Sequence, residues 1–250
     1  MKKMQLFLAL ASIASLSLSG CDNMTIRTDN ASGAEISGNG NVQSQRRAVT
    51  TFDKIEINGV FNVFLSQGEK EEVRVETDEN IQPLILTTVE NNVLSVRMRD
   101  SASIGKIKKI NVYIAFHQLQ KIASNGVGKL TCENTLKVDK LDLDFNGVGI
   151  SSLKVEGNIL NISSEIVGAL KLAGNMKEVN INHSGLGVIQ AFDLKSEKLT
   201  LDADGIGAAD VYASRQLNVN SRGVGVVRYK GNPETTNIKN EGIGKVEKAE

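Results

Sequence analysis

A pair of glycines enclosing one aliphatic residue returns along this chain at nearly constant intervals. The enclosed residues are Val127, Val148, Val167, Leu186, Ile206, Val224 and Ile243, spaced 21, 19, 19, 20, 18 and 19 residues apart. Six of the seven units read as "NGVG", "NGVG", "SGLG", "DGIG", "RGVG" and "EGIG"; in the Val167 unit Ile166 replaces the first glycine. A fixed period near 19 limits the chain to a stacked-repeat architecture, because each unit is too small to bury its own apolar face.

Taking each enclosed residue as position zero, positions −7 and −5 are apolar: Leu141 and Leu143, Leu160 and Ile162, Val179 and Ile181, Leu199 and Leu201, Leu217 and Val219. Positions +3 and +5 are mostly apolar as well, as in Leu170 and Leu172 or Val227 and Tyr229. Alternation on both sides of the glycines predicts two short strands per repeat, each with one buried face. The glycines are read as sharp corners between them, where positive φ carries no steric cost, with the enclosed aliphatic pointing inward. The fold expected is an all-β, single-stranded β-helix or β-solenoid with coils of about 19 residues. Rungs about 4.8 Å apart would then stack the zero residues into an internal ladder, within a core of roughly 40 side chains.

Upstream, "FDKIEINGVFNVFLSQG" fits the same frame around Val60, and "VRVET", "NVLSVRMRD" and "INVYIAF" alternate without the glycine pair. Residues 66–118 are therefore expected to form an antiparallel β section covering the N-terminal end of the solenoid, the cap that repeat arrays require. The final unit ends in "GIGKVEKAE", whose alternating charge would discourage pairing with another chain. Residues 247–250 are read as a polar tail.

The first residues have a different character. "MKK", an apolar run from Leu6 to Leu18, and "LSGC" form a secretory leader over residues 1–20, too short for a comfortable membrane span. The ending resembles the bacterial lipobox, which makes Cys21 the lipidated N-terminus and Cys132 the only thiol left, so no disulfide framework is expected. Residues 21–47 are polar and rich in Gly, Ser and Asn, the composition of a flexible tether with a reach on the order of 28 Å.

The lipobox leader, the "FDKIEINGVFNVFLSQG" opening, the "NNVLSVRM" strand and the repeated N-G-x-G units together resemble the head GIN domain family, labelled as autotransporter adhesins. The resemblance covers residues 48–246. It implies a β-helical, extracytoplasmic protein, often a lipoprotein of Bacteroidetes-type bacteria. No alternating ten-residue membrane strands follow the last unit, so autotransport itself is not expected.

Charge and chemistry exclude several functions. The 29 basic and 29 acidic residues cancel, and without Lys2 and Lys3 the balance is 27 against 29, so no basic footprint for nucleic acid exists. No metal-ligand spacing, nucleophile elbow or phosphate loop occurs, and no cofactor, metal or catalytic residue is expected. His183 falls in the inward −3 column and Cys132 at +5, both positions of packed core residues. Asp144 and Asp202 lie three rungs apart, about 14 Å, farther than the carboxylate pair of a glycosidase.

Two surfaces remain. Outward positions −6 and −4 carry Asp142 and Asp144, Asn161 and Ser163, Asn180 and Asn182, Thr200 and Asp202, Asn218 and Asn220, a double ladder of short polar side chains. It suits hydrogen bonding to a glycan, a cell-wall polymer or a protein, and equally suits self-satisfied stacking. Phe192 and Tyr212 share position +6 in adjacent rungs as an aromatic contact. The reading is a non-catalytic, adhesin-like envelope protein, joined to the outer membrane through Cys21. The alternatives are a polysaccharide-processing enzyme and a scaffold subunit stacking through its C-terminal rung. Oligomeric state is not legible.

Overall fold

A strand places odd and even positions on opposite faces, and in this chain that parity runs unbroken through the glycine pairs. The computed structural model describes residues 35–99, 105–107 and 109–250. The leader and Cys21 lie outside them. In chain order the strands are β1 (Val42–Arg47), β2 (Lys54–Gln67), β3 (Glu72–Asp78), β4 (Ile85–Glu90), β5 (Val93–Met98), β6 (Asn111–Phe116), β7 (Lys121–Cys132), β8 (Leu136–His183) and β9 (Leu186–Ala203). They continue as β10 (Ile206–Tyr212), β11 (Gln216–Ser221), β12 (Val224–Lys230), β13 (Thr235–Asn240) and β14 (Ile243–Lys248). Among the described residues no helix is long and apolar enough to cross a membrane.

From β2 onward the coils stack in parallel and in register. Val60 pairs with Val127 and Val127 with Val148. Val167 pairs with Leu186, Leu186 with Ile206, Ile206 with Val224, and Val224 with Ile243. This is the expected β-solenoid.

Its corners match expectation in part. β7 and β8 run straight through the glycine units at Val127, Val148 and Val167, so there the glycines bend a continuous strand. The last four corners separate strands as expected: β8 ends at His183 before Leu186, β9 at Ala203 before Ile206, β11 at Ser221 before Val224, and β13 at Asn240 before Ile243. Parity then sets both glycines of each pair inward and the enclosed aliphatic outward. Val148 is 49% exposed, Leu186 51% and Ile206 54%. The two positions where a glycine is replaced show the same parity: Ile166 at −1 and Phe61 at +1 are both buried. Glycine is needed at the bend because the coils approach too closely for a side chain. At Gly149, with φ +154°, a Cβ would overlap the carbonyl oxygen of Gly128 in the preceding rung.

Inward residues, at odd positions beside each glycine pair, form one core that runs from Phe52 near the cap to Val227 in a late coil. Leu141, Leu143, Leu160, Val179, Leu199, Leu201 and Leu217 are each 2% exposed or less.

The expected N-terminal section is present, with mixed pairing. β1 lies antiparallel on β3, β3 on β6, and β4 on β5, the last hairpin turning at Asn91 and Asn92 with φ of 51° and 64°. β5 and β6, however, pair parallel with the two halves of β2, which seats the section squarely on the first coil.

Residues 42–47, assigned to the tether from composition, form β1 instead. Their polar side chains are held by specific partners: Arg47 Nη2 donates to Gln82 Oε1 at 2.7 Å and to the Gln82 carbonyl at 3.0 Å. Gln82 Nε2 in turn donates to the carbonyls of Gln43 and Val75 at 2.9 and 3.0 Å. At the other end, β14 extends to Lys248 and Ala249 N–H donates to the Tyr229 carbonyl, so residues 247–249 continue the ladder where a polar tail was expected.

Candidate binding face

The polar double ladder is assembled by the same parity that builds the core. Even positions −6 and −4 face outward, and in-register pairing aligns Asn180 with Thr200 and Asn218, and Asn182 with Asp202 and Asn220. The two columns behave differently. Along −6, Asn161 Nδ2 donates to Asp142 Oδ1 at 2.7 Å, Asn180 Nδ2 to Asn161 Oδ1 at 3.0 Å, and Asn218 Nδ2 to Thr200 Oγ1 at 3.5 Å. An amide has a donor at one end and an acceptor at the other, so stacked asparagines satisfy one another at the rung spacing. These side chains are half-buried.

Column −4 is more open. Asp144, Ser163 and Asn182 are exposed. Asp144 meets only Lys121, at 3.8 Å, whereas Ser163 and Asn182 have no side-chain partner among the described residues. Farther along, Asn220 Nδ2 donates to Asp202 Oδ1 at 3.1 Å. A shallow concavity of about 400 Å³ overlies both columns from Lys121 to Asp202. The face thus has a tied inner column and an outer column with spare hydrogen-bonding capacity.

Phe192 and Tyr212 do not stack on each other. Lys195 Nζ sits 4.0 Å from the Tyr212 ring centroid and donates to the Phe192 carbonyl at 2.8 Å. Lys230 Nζ lies 5.2 Å from the Phe192 centroid and Arg228 Cζ 5.8 Å, with Arg228 held by Asp210 through contacts of 2.7 and 2.8 Å. Each ring therefore carries a cation on its face. A stacked pair absent from the sequence reading lies elsewhere: Phe64 and Tyr113 are 4.9 Å apart at 16°, with Arg74 3.8 Å over Tyr113. The two rings are directly paired across β2 and β6, a register that the interrupted upstream sequence did not reveal.

The titratable candidates are structural in placement. Cys132 is half-buried and its thiol is pushed up to about 12 by burial, which keeps it protonated. His183 is 4% exposed, and its Nδ1 lies 3.1 Å from the Ser164 carbonyl, so Nδ1 carries the proton while Nε2 has no partner. Burial lowers its pKa below 6.5, partly opposed by the Ser164 bond. The folded protein thus resists a proton that the unfolded chain accepts. Stability from this site is complete above pH 6.5 and is lost as pH falls toward the folded-state pKa, at up to about 1.4 kcal/mol per pH unit. Melting temperatures from pH 7.5 to 5.5 should fall less in His183→Leu than in the parent; parallel curves would sink this assignment.

Asp204 is held below the usual carboxylate range by hydrogen bonds from Arg222, at 2.8 and 2.6 Å. It is therefore ionised and unsuited to act as a general acid. Among the described residues no group of three or more His, Cys, Asp or Glu is arranged to hold a metal.

The family described as "Putative auto-transporter adhesin, head GIN domain" matches residues 51–233. A "putative adhesin" from Bacteroides fragilis has a similar crystal structure, with TM-score 0.83, 28% identity, and coverage of 86% of this chain and all of that one. A second "putative adhesin", from Parabacteroides distasonis, is 25% identical with TM-score 0.60, covering 86% of this chain and all of its own. A "putative lipid binding protein" from the same organism shares the fold at 22% identity and TM-score 0.70, covering 87% of this chain and all of its own. No curated protein matches this sequence. The glycine-bent coils, the capped first rung and the match across most of the chain place it in the head GIN domain family, among adhesin-like β-solenoids.

Proposed function

We propose that this protein is a non-catalytic binding module of the cell envelope, joined to the outer membrane by a lipid on Cys21, with column −4 as its recognition face. The carrying observation is the contrast between columns. The −6 side chains spend their hydrogen bonds on one another, while Ser163 and Asn182 stand exposed and unpartnered beneath a concavity. Regularly spaced short polar groups at about 4.8 Å suit a linear ligand rich in hydroxyl or amide groups, such as a glycan or cell-wall polymer running along the solenoid axis. The adhesin descriptions of the family and its structural neighbours support a binding role and an extracytoplasmic location.

A polysaccharide-cleaving reading is less well supported. Asp142 and Asp144 sit at the Lys140 and Lys121 end of the face, three rungs from Asp202, about 14 Å at the rung spacing. Such a separation does not match either glycosidase geometry.

The reading is tested by an array of glycans and cell-wall polymers probed with residues 21–250. Ser163→Ala combined with Asn182→Ala should weaken binding about tenfold or more, at roughly 1 kcal/mol or slightly above for each lost hydrogen bond. Melting temperature should stay unchanged. If the parent binds no polymer, or the double variant binds equally well, column −4 is not the recognition face.

A further inference from the structure

The outward aliphatic column is a second surface, on a different part of each coil. Position zero supplies Val148, Val167, Leu186, Ile206 and Val224, each at least 43% exposed and aligned rung over rung. Position +2 widens the column with Ile150, 40% exposed, and with Val188 and Val226, which are half-buried. The glycines between the rows face inward, and at the two ends position +2 is taken by the exposed Lys129 and Lys245. From Val148 to Ile243 the exposed row spans five rung spacings, roughly 24 Å, and half-buried Val127 and Val60 continue it toward the cap. A contiguous apolar strip of this size approaches the largest patch on an ordinary monomer, and such patches often serve as contacts.

Area and charge narrow the occupant. An exposed strip about 24 Å long and about 10 Å wide is well short of the roughly 800 Å² per partner that a stable protein pair buries, so a second copy is poorly served by it. Its borders carry both signs: Glu165 at −2 and Lys171 at +4 border the Val167 rung, and the Asp204–Arg222 and Asp210–Arg228 pairs border the Ile206 and Val224 rungs. A zwitterionic surface matches such a border, whereas a strongly charged partner does not. Thirteen residues, 22–34, separate Cys21 from the first described residue, a covalent span of at most about 45 Å. The described chain enters through the cap, where the column begins at Val60. The whole column is within reach of a membrane holding Cys21.

We propose that this column is a membrane-contact edge, laying the solenoid lengthwise on a zwitterionic lipid surface with the zero-position aliphatics at the headgroup–acyl boundary. The lipid anchor then sets proximity and the column sets orientation, leaving the polar ladder on another part of the coil for its ligand. The proposal uses the anchored reading above but can be tested without the anchor.

Residues 21–250 carrying Cys21→Ser, which cannot be lipidated, are sedimented with sucrose-loaded phosphatidylcholine vesicles, in low and high salt. The parent should co-sediment in a salt-insensitive manner. Val167→Thr, Leu186→Thr, Ile206→Thr and Val224→Thr combined place strand-compatible β-branched residues at all four positions and should lower the partition coefficient about tenfold or more. The urea midpoint reports whether the variant is folded. Absence of parent binding, equal binding by a folded threonine variant, or dimerisation abolished by the same substitutions without vesicle binding would each overturn the proposal. If the combined variant fails to fold, Leu186→Thr alone carries the test, with a smaller loss expected and equal binding overturning the proposal. Labelled fatty-acid incorporation at Cys21 in cells is scored separately, so an absent anchor and an inert column are distinguishable.

Discussion

Gly207→Ala is expected to destabilise the solenoid by about 3–5 kcal/mol, a large loss for the addition of a single carbon. Gly207 has φ +146°, a backbone state that costs an L-residue about 1–3 kcal/mol by itself. The added Cβ would also overlap the carbonyl oxygen of Gly187 in the rung above. That oxygen belongs to a continuous ladder, since Gly207 pairs with Gly187 and Gly225, so it cannot retreat without shifting neighbouring coils. In a stacked array such a defect weakens the interfaces on both sides. Urea denaturation gives the comparison, with Gly68→Ala as the control because no atom lies within 4 Å of its added Cβ. Gly68→Ala should stay within about 0.5 kcal/mol of the parent. A Gly207→Ala midpoint equal to that of the parent would mean that the bend does not require a bare backbone.

Phe145→Ala should cost about 3–5 kcal/mol, and Val148→Thr, three residues later, less than about 1 kcal/mol. Phe145 is 2% exposed at inward position −3 and fills space that the glycine pairs leave inside the bend. It borders a void of about 30 Å³ shared with Phe61 and Ile166, so truncation enlarges an existing gap in a rigid stack. Val148 is 49% exposed, and threonine preserves its β-branched fit to the ladder. The pair of urea midpoints reads inside against outside directly. Comparable losses at both sites would contradict the parity that places every odd position inside.

Much of the molecule was legible from residues alone. The 19-residue recurrence carried the solenoid, its register and the membership of the zero, −5 and −7 columns, because in-register stacking repeats the same environment at the same position. The capping section was legible from the loss of the glycine pair over residues 66–118. The −6 and −4 columns followed from alternation, as did the inward places of His183 and Cys132.

Other features depended on contacts between distant segments. Composition alone made residues 42–47 a tether, but Gln82, 35 residues from Arg47, supplies the partners that turn them into β1. Whether column −6 or −4 is free depended on side-chain angles between rungs, and the cations over Phe192 and Tyr212 come from Lys195, Arg228 and Lys230 on neighbouring turns. The side on which the enclosed aliphatic lies was already implied by parity, yet the corner interpretation concealed it. Reading the glycines as a corner resets the count, whereas the alternation continues across the bend whether or not the strand is interrupted there. Sequence periodicity by itself determined that the coils stack and which residues share a column. Only the tertiary structure decided that the strand passes through the early bends without interruption, and that the enclosed aliphatic stays outward at the later, interrupted ones, because both depend on how closely one rung's carbonyls approach the next rung's α-carbons.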